Sequence, residues 1–289
     1  MCVAQYLRLL RTSARACAMA TLLLALNHDA LCELFEHADL PFALKLTCQD
    51  LRAAAPSRTK TMVWQVTTSI KLLKWACASG YRLGPMVCAE AARGGHLKVL
   101  KWARAQKCDW DEDTCAYAAG AGQLEVLQWA HKHGCGWNEY TCEEAGKGGH
   151  LEVLKYARAH GCDWYDETCV EAAANGHLEV LIWARENGCD WNDWVCAGAA
   201  LGGHLEILKW ARAHGAPWKS ETCAAAARGG HLKVLQWLRK NMCPWDSHTC
   251  YNALEAGHLI ILDWALENGA EYYPRYVMGG GFAVYNVKL

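Results

Sequence analysis

The residues with the greatest chemical potential in this chain are its cysteines, 17 of 289 residues. A cysteine thiolate binds zinc, and two thiols oxidise to a disulfide, so both kinds of chemistry have to be considered. A second series keeps the same 27-residue period as the first, at Cys108, Cys135, Cys162, Cys189 and Cys243. The first series is Cys88, Cys115, Cys142, Cys169, Cys196, Cys223 and Cys250.

The spacing of these cysteines favours neither chemistry. Equivalent positions in stacked helical repeats lie about 8–10 Å apart, whereas a disulfide needs Cα atoms within about 7 Å. Within one period the spacing is C-x6-C, as between Cys108 and Cys115, and not the C-x2-C of zinc sites. Ala216 and Ala270 also replace two cysteines without changing the period. We interpret the cysteines as reduced, buried small hydrophobic residues without a cofactor, which favours the cytoplasm or nucleus. A metal- or redox-responsive cysteine-rich protein is the alternative.

Histidine follows the same period, directly after a glycine. Near a helix start its ring can hydrogen-bond to backbone groups that lack a partner within a helix, and glutamine can do the same. We therefore expect a structural role for this position. The series is His96, His150, His177, His204, His231 and His258, with Gln123 at the remaining place.

Tryptophan marks the period twice, and at helical spacing inside a repeat we expect these rings in the core. Trp194 stands outside both series and is expected to be exposed. The series are Trp75, Trp102, Trp129, Trp183, Trp210, Trp237 and Trp264, with Tyr156 in the gap, and Trp110, Trp137, Trp164, Trp191, Trp218 and Trp245.

A fixed period of this length predicts an array of one repeated unit, seen best in residues 149–175. Apolar residues recur at helical spacing after the Gly-His pair, and Gly161 is expected to end this helix, which we call the GH helix. A shorter helix containing the first-series cysteine, the cysteine helix, is expected to begin near Thr168, whose hydroxyl can cap it. Each unit is thus helix–turn–helix, and units must stack to bury their apolar faces.

The run T-C-V-E-A-A-A-N-G-H-L-E-V-L-I-W-A-R-E-N-G-C-D-W, from Thr168 to Trp191, resembles the ankyrin repeat, T-P-L-H-x-A-A-x-x-G-H-L-E-I-V-K-L-L-L-x-x-G-A-D-V-N. The resemblance covers residues 58–272, about eight units, and implies an all-α, helical-repeat solenoid. The unit is shorter than the ankyrin unit of about 33 residues. The missing residues fall where an ordinary ankyrin repeat forms its β-hairpin finger, so we expect short loops there.

Charge is distributed unevenly although the formal net charge is only -1. From Cys108 onward, the loops and cysteine helices are rich in Asp and Glu, with few basic residues among them. The GH helices carry most of the Lys and Arg, interspersed with glutamates such as Glu125 and Glu179. Such a mixed face does not suit nucleic-acid phosphates, so we expect no nucleic-acid partner.

Ankyrin-like proteins bind partners through loops and first helices on a concave side, so the resemblance implies a protein-interaction scaffold. The acidic edge indicates a partner with a basic segment, with solubilising charge as the alternative. The candidate contacts are the variable positions on this face: Asp111, Glu112, Tyr117, Glu139, Tyr140, Tyr165, Asp166, Asn192, Asp193, Trp194, Lys219, Asp246, His248 and Tyr251.

Ahead of the repeats, A-L-C-E-L-F-E-H-A-D-L-P-F-A-L-K-L-T-C-Q-D-L-R-A-A, residues 30–54, resembles an F-box. The F-box pattern is an apolar L-x-x-I-F-x-x-L helix, a D-L-P-like turn and L-x-L-x-C-x-x-L/F-R, but its usual opening Leu-Pro is absent here. The alternative is that residues 27–56 form a helical cap for the repeats. If the segment is an F-box, the resemblance implies docking to the linker subunit of a cullin ubiquitin ligase through Leu31, Leu34, Phe35, Leu40, Pro41 and Leu44.

The two ends differ from the repeats at 57–272. Residues 1–26 contain three arginines, no acid and an apolar stretch, and we expect an N-terminal helix there, with a transit or secretory leader as the alternative. That stretch is shorter than the about 20 residues of a membrane span. Residues 273–289 leave the register and are expected to be loosely ordered.

Catalytic motifs are missing from the sequence, which has no Gly-rich phosphate loop, no G-x-S-x-G and no H-E-x-x-H. We therefore predict a monomeric, non-enzymatic protein-interaction scaffold that binds neither nucleic acid nor membrane. Its finer predicted function is substrate recognition for a cullin-type ubiquitin ligase.

Overall fold

The computed structural model describes residues 63–78 and 80–272, which form sixteen α-helices and no strand. The F-box-like segment, its docking residues and the two chain ends lie outside the described residues. The helices are α1 Val63–Val66, α2 Ile70–Ala78, α3 Pro85–Arg93, α4 Leu97–Ala105, α5 Glu112–Gly120, α6 Leu124–Lys132, α7 Glu139–Gly148, α8 Leu151–Ala159, α9 Glu167–Ala174, α10 Leu178–Glu186, α11 Asp193–Leu201, α12 Leu205–Ala213, α13 Ser220–Arg228, α14 Leu232–Lys240, α15 Ser247–Glu255 and α16 Leu259–Glu267.

The described chain divides into two compact units. The first comprises residues up to 91 together with residues 98–109, and Leu73, Cys88 and Leu100 are fully buried in it. The second comprises residues 92–97 and the chain from residue 110.

The second unit contains six helix–turn–helix repeats, from α5 and α6 to α15 and α16. Its GH helices begin every 27 residues, from Leu124 to Leu259. The helical-repeat solenoid predicted from the sequence is confirmed, and the described loops contain no strand, as the shortened unit predicts.

The cysteine helices make most of the contacts between repeats, whereas each GH helix packs chiefly on the cysteine helix of its own repeat. Small side chains permit this arrangement because they let backbones approach closely. A Cβ at Gly146 of α7 would lie only 2.8 Å from the backbone oxygen of Thr168 in α9. Larger residues at such positions would push the repeats apart.

Each repeat encloses a small apolar core between its two helices. In the repeat of α7 and α8, Cys142 and Leu154 are fully buried, with Val153 and Ala157 beside them. Burial of a leucine contributes about 1.5–3 kcal/mol, so six repeats accumulate a large hydrophobic stabilisation. The prediction that first-series cysteines are buried is confirmed.

The prediction that Thr168 caps its helix is wrong. Helix α9 begins at Glu167, and the Thr168 hydroxyl is buried without a hydrogen-bond partner. The chain turns before this residue, so its side chain points inward, with its methyl carbon facing Gly146 of the preceding cysteine helix. The same buried, unpartnered hydroxyl recurs at Thr114, Thr141, Thr222 and Thr249.

The expectation of core tryptophans also needs correction, because the described series members in the second unit are half-buried. Leu, Val, Ala and Cys fill the space between the helices, which leaves the indoles at the rim. There Trp164 meets Trp183 edge to face at 5.7 Å, and the Arg158 guanidinium lies 4.3 Å from the Trp164 ring. Indole pairing and cation–π contact shield these rings from water.

The Gly-His positions join consecutive repeats. His177 Nε2 donates to the Lys147 carbonyl oxygen at 3.0 Å, and its ring lies over Gly149, where φ is 73° and a Cβ would come within 2.4 Å of the ring. His204 and His258 donate in the same way to carbonyls 30 residues earlier. The predicted hydrogen bond to an orphan backbone group is thus present, and its partner is the end of the preceding cysteine helix.

Candidate functional site

The loops that lead into the cysteine helices bring most of the predicted contact residues to one edge of the second unit. Side chains of consecutive repeats touch there: Asn192 Nδ2 donates to Asp166 Oδ2, and Lys219 Nζ lies 2.9 Å from Asp193 Oδ2. We call this edge, with the exposed side of the cysteine helices, the loop face. Its residues therefore form a continuous strip.

Exposed aromatic rings stand on three consecutive repeats of the loop face. Tyr140 is 58% exposed, Tyr165 59% and Trp194 56%. Trp194 is held at the start of α11, where its backbone N–H donates to Asn192 Oδ1 at 2.8 Å. The predicted exposure of Trp194 is confirmed, and large apolar side chains this exposed are characteristic of binding surfaces.

Carboxylates crowd the same strip and repel one another. Burial, followed by the charges of Asp113 and Glu112, raises the pKa of Asp111 above its usual range. A hydrogen bond with Asp166 raises the pKa of Glu167. Both shifts show that negative charge here is only partly compensated.

Toward α13 the strip becomes less acidic because Lys219 pairs with Asp193. The Lys219 hydrogen bond lowers the pKa of Asp193, and the same contact raises the pKa of Lys219. In the last repeat His248 Nδ1 lies 3.3 Å from Asp246 Oδ1. The uncompensated negative charge therefore concentrates between α5 and α9.

Other predicted contacts lie apart from the aromatic rings. Tyr117 and Tyr251 are half-buried within α5 and α15, and the Tyr251 hydroxyl donates to Glu255. Glu112 is exposed and Glu139 half-buried in the first turns of their helices. Every member of the predicted set is at least partly accessible to solvent.

The predicted contact set omitted carboxylates on the helical part of the loop face. Burial, then the charges of Glu171, Glu144 and Glu167, raises the pKa of Glu143 on α7. Glu144 and Glu171 stand one period apart, so they occupy the same position in adjacent repeats. That coincidence of charge and register is the signal that could have identified them.

Metal-ligating side chains do not converge in the part of the chain that the structure describes. There, no three or more His, Cys, Asp or Glu side chains are placed to hold a metal ion. Nor is any helix within residues 63–78 and 80–272 long and apolar enough to cross a membrane.

Comparison with known proteins gives a likeness among solved structures only. No protein-family model matches the chain, and no curated protein sequence matches it. Among solved structures, the chain is similar to the crystal structure of the human ASB11 ankyrin repeat domain, with 17% identity and a TM-score of 0.44. That likeness covers 54% of this chain and 84% of the ASB11 chain.

Proposed function

We propose that this chain is a protein-interaction scaffold whose loop face binds a basic segment of another protein. The observation that carries the proposal is the continuous strip of crowded carboxylates beside three exposed aromatic rings. Lysine and arginine side chains would relieve the repulsion among Asp111, Glu143 and Glu167. The rings of Tyr140, Tyr165 and Trp194 offer cation–π faces to the same cations.

The stacked repeats suit this role because their loop face is preformed. The His177 ring and the paired loop side chains hold neighbouring repeats in register. A rigid face loses little conformational entropy on binding, which favours affinity. An extended basic peptide could lie across several repeats, with one cation at each acidic loop.

A charge-neutralised variant tests the proposal. We expect Glu112→Gln, Asp166→Asn and Asp193→Asn together to weaken binding of fluorescent arginine- and lysine-rich peptides roughly tenfold. Fluorescence anisotropy would measure this affinity. Wild-type binding should also weaken strongly between about 0.05 and 0.5 M salt, because exposed charges are screened.

The matched control removes the same charge from the GH helices. Glu125, Glu179 and Glu186 are exposed there, and their replacement by glutamine should leave the affinity nearly unchanged. Equal weakening in both triple variants, or binding that does not depend on salt, would contradict recognition at the loop face.

A finer proposal is that this scaffold selects substrates for a cullin-type ubiquitin ligase. Its support is the F-box-like pattern of residues 30–54 in the sequence. Purified chain should then retain the ligase linker subunit in a pull-down, and deletion of residues 27–55 should abolish retention without affecting basic-peptide binding. Retention that survives the deletion would reject the adaptor role and leave the interaction role intact.

A further inference from the structure

Five repeats bring two buried cysteines into contact across the repeat. In each, the thiol of the cysteine helix hydrogen-bonds to a thiol 20 residues later, just after the GH helix. The pairs are Cys88 with Cys108, Cys115 with Cys135, Cys142 with Cys162, Cys169 with Cys189, and Cys223 with Cys243.

A second contact fixes the later thiol of each pair. Cys135 Sγ donates to the Asp111 carbonyl oxygen at 3.3 Å, and Cys162 Sγ to that of Asn138 at 3.1 Å. Equivalent contacts hold Cys108, Cys189 and Cys243 at 3.3, 3.3 and 3.5 Å. Because both partners are anchored and nearly inaccessible, each pair has one arrangement in every repeat.

Two repeats lack the second thiol and serve as internal references. Alanine stands at positions 216 and 270, opposite Cys196 and Cys250. Cys196 Sγ approaches the Ala216 carbonyl oxygen at 3.9 Å, which shows that the two positions adjoin there as well. The chain thus offers five dithiols and two single thiols in equivalent surroundings.

Thiols already in contact need only a small movement to reach the S–S bond of about 2.05 Å. We propose that each of the five dithiols is a site of reversible disulfide formation by a two-electron oxidant such as hydrogen peroxide. Two S–H bonds break, one S–S bond forms, and the two electrons and two protons reduce one peroxide to two waters. The first thiol forms a sulfenic acid and releases one water; the second displaces hydroxide from it, which leaves as the second water.

Burial sets the rate of this reaction. The hydrogen bond with Cys135, followed by burial, raises the pKa of the Cys115 thiol, so little reactive thiolate is present in the closed repeat. Oxidation then proceeds through local opening of the repeat. The bridge ties the cysteine helix to the end of its GH helix, and the oxidised chain should resist unfolding until a reductant is added.

The test is oxidation of the folded full-length chain by hydrogen peroxide, followed by alkylation in denaturant and non-reducing peptide mapping. We expect five bridges, each joining cysteines 20 residues apart and each with a mass loss of two hydrogen atoms. Cys196 and Cys250 should carry no bridge. The urea midpoint of unfolding should rise after oxidation and return to its former value after treatment with dithiothreitol.

Two variants make the test specific. Cys135→Ala, which copies the residue found at Ala216, should eliminate only the bridge to Cys115. Ala216→Cys should add a sixth bridge, to Cys196. The proposal is overturned if the paired cysteines are recovered alkylated even after peroxide treatment in urea just below the unfolding midpoint. Bridges that join different repeats, such as Cys115 to Cys142, would overturn it equally.

Discussion

One histidine distinguishes the repeat of α5 and α6 from the others. In other repeats an arginine lies over the indole of the next loop, as Arg158 lies over Trp164, and donates to a loop carbonyl. His131 takes this place and stacks on Trp137, with ring centroids 3.5 Å apart and planes 8° apart. Its Nδ1 is buried without a partner. Burial, then the neighbouring His160, lowers the pKa of His131, whereas arginine stays charged at any physiological pH.

Substitution of His131 should change how stability depends on pH. Because its pKa is lowered in the folded state, the unfolded chain binds the proton more readily, and the contribution of His131 to stability is lost as pH falls below about 6.5. We expect His131→Arg to lose less unfolding free energy than wild type between about pH 7.5 and pH 5.5, as measured by urea titration.

The control for this effect is His133→Asn. His133 Nδ1 donates to the Trp129 carbonyl, and Asn187 makes the equivalent bond in another repeat. This variant should therefore keep the wild-type dependence on pH. Parallel curves for wild type and His131→Arg would show that His131 does not contribute.

At the scale of the element, the end of each GH helix is a left-handed turn. The Cys162 N–H donates to the Ala157 carbonyl across Gly161, where φ is 84°. This is the Schellman arrangement, in which glycine avoids the steric cost of a Cβ. Met242 occupies the equivalent position with φ 63° and is 82% exposed. The repeat ending there therefore carries backbone strain without burial of the side chain.

Met242→Gly should raise the unfolding free energy by about 0.5–1 kcal/mol, because it removes the left-handed strain and little packing. Gly161→Ala is the converse change, and nothing lies within 4 Å of the added Cβ, so strain alone should lower stability by about 1 kcal/mol. Urea unfolding measures both variants. A destabilised Met242→Gly chain would mean that the methionine makes a contribution larger than the strain.

For the second unit as a whole, stability depends on the junctions between repeats as well as on each small core. Arrays of this kind unfold cooperatively only while neighbouring repeats remain coupled. The histidine-to-carbonyl bonds and the close approach of the cysteine helices provide that coupling. His177 lies in the middle of the unit, between α9 and α10.

His177→Ala should lower the unfolding free energy by about 1–2 kcal/mol and broaden the transition, because the Lys147 carbonyl loses its partner. His177→Gln should retain most of the stability, since Gln123 already fills this position in another repeat. Chemical unfolding followed by circular dichroism distinguishes the two. Equal losses in both variants would point to ring packing over Gly149 instead of the hydrogen bond.

Features that depend on the period could be predicted from the sequence. The helix–turn–helix unit, the stop at Gly161, the buried cysteines and the exposure of Trp194 all follow from register and residue type. The thiol contact between Cys115 and Cys135 does not, because it arises only when the chain folds back after the GH helix. Sequence spacing likewise placed the tryptophans in the core, since it could not show that smaller residues already filled that space.

The uniform junction between repeats has a consequence for how such a protein can change over generations. Each histidine, glycine and loop contact joins a repeat to the one before it through the same positions. Duplication or loss of one 27-residue segment of the gene would therefore leave the remaining junctions intact. The reach of the acidic and aromatic strip could grow or shrink by one step through recombination, without any new solution for the core.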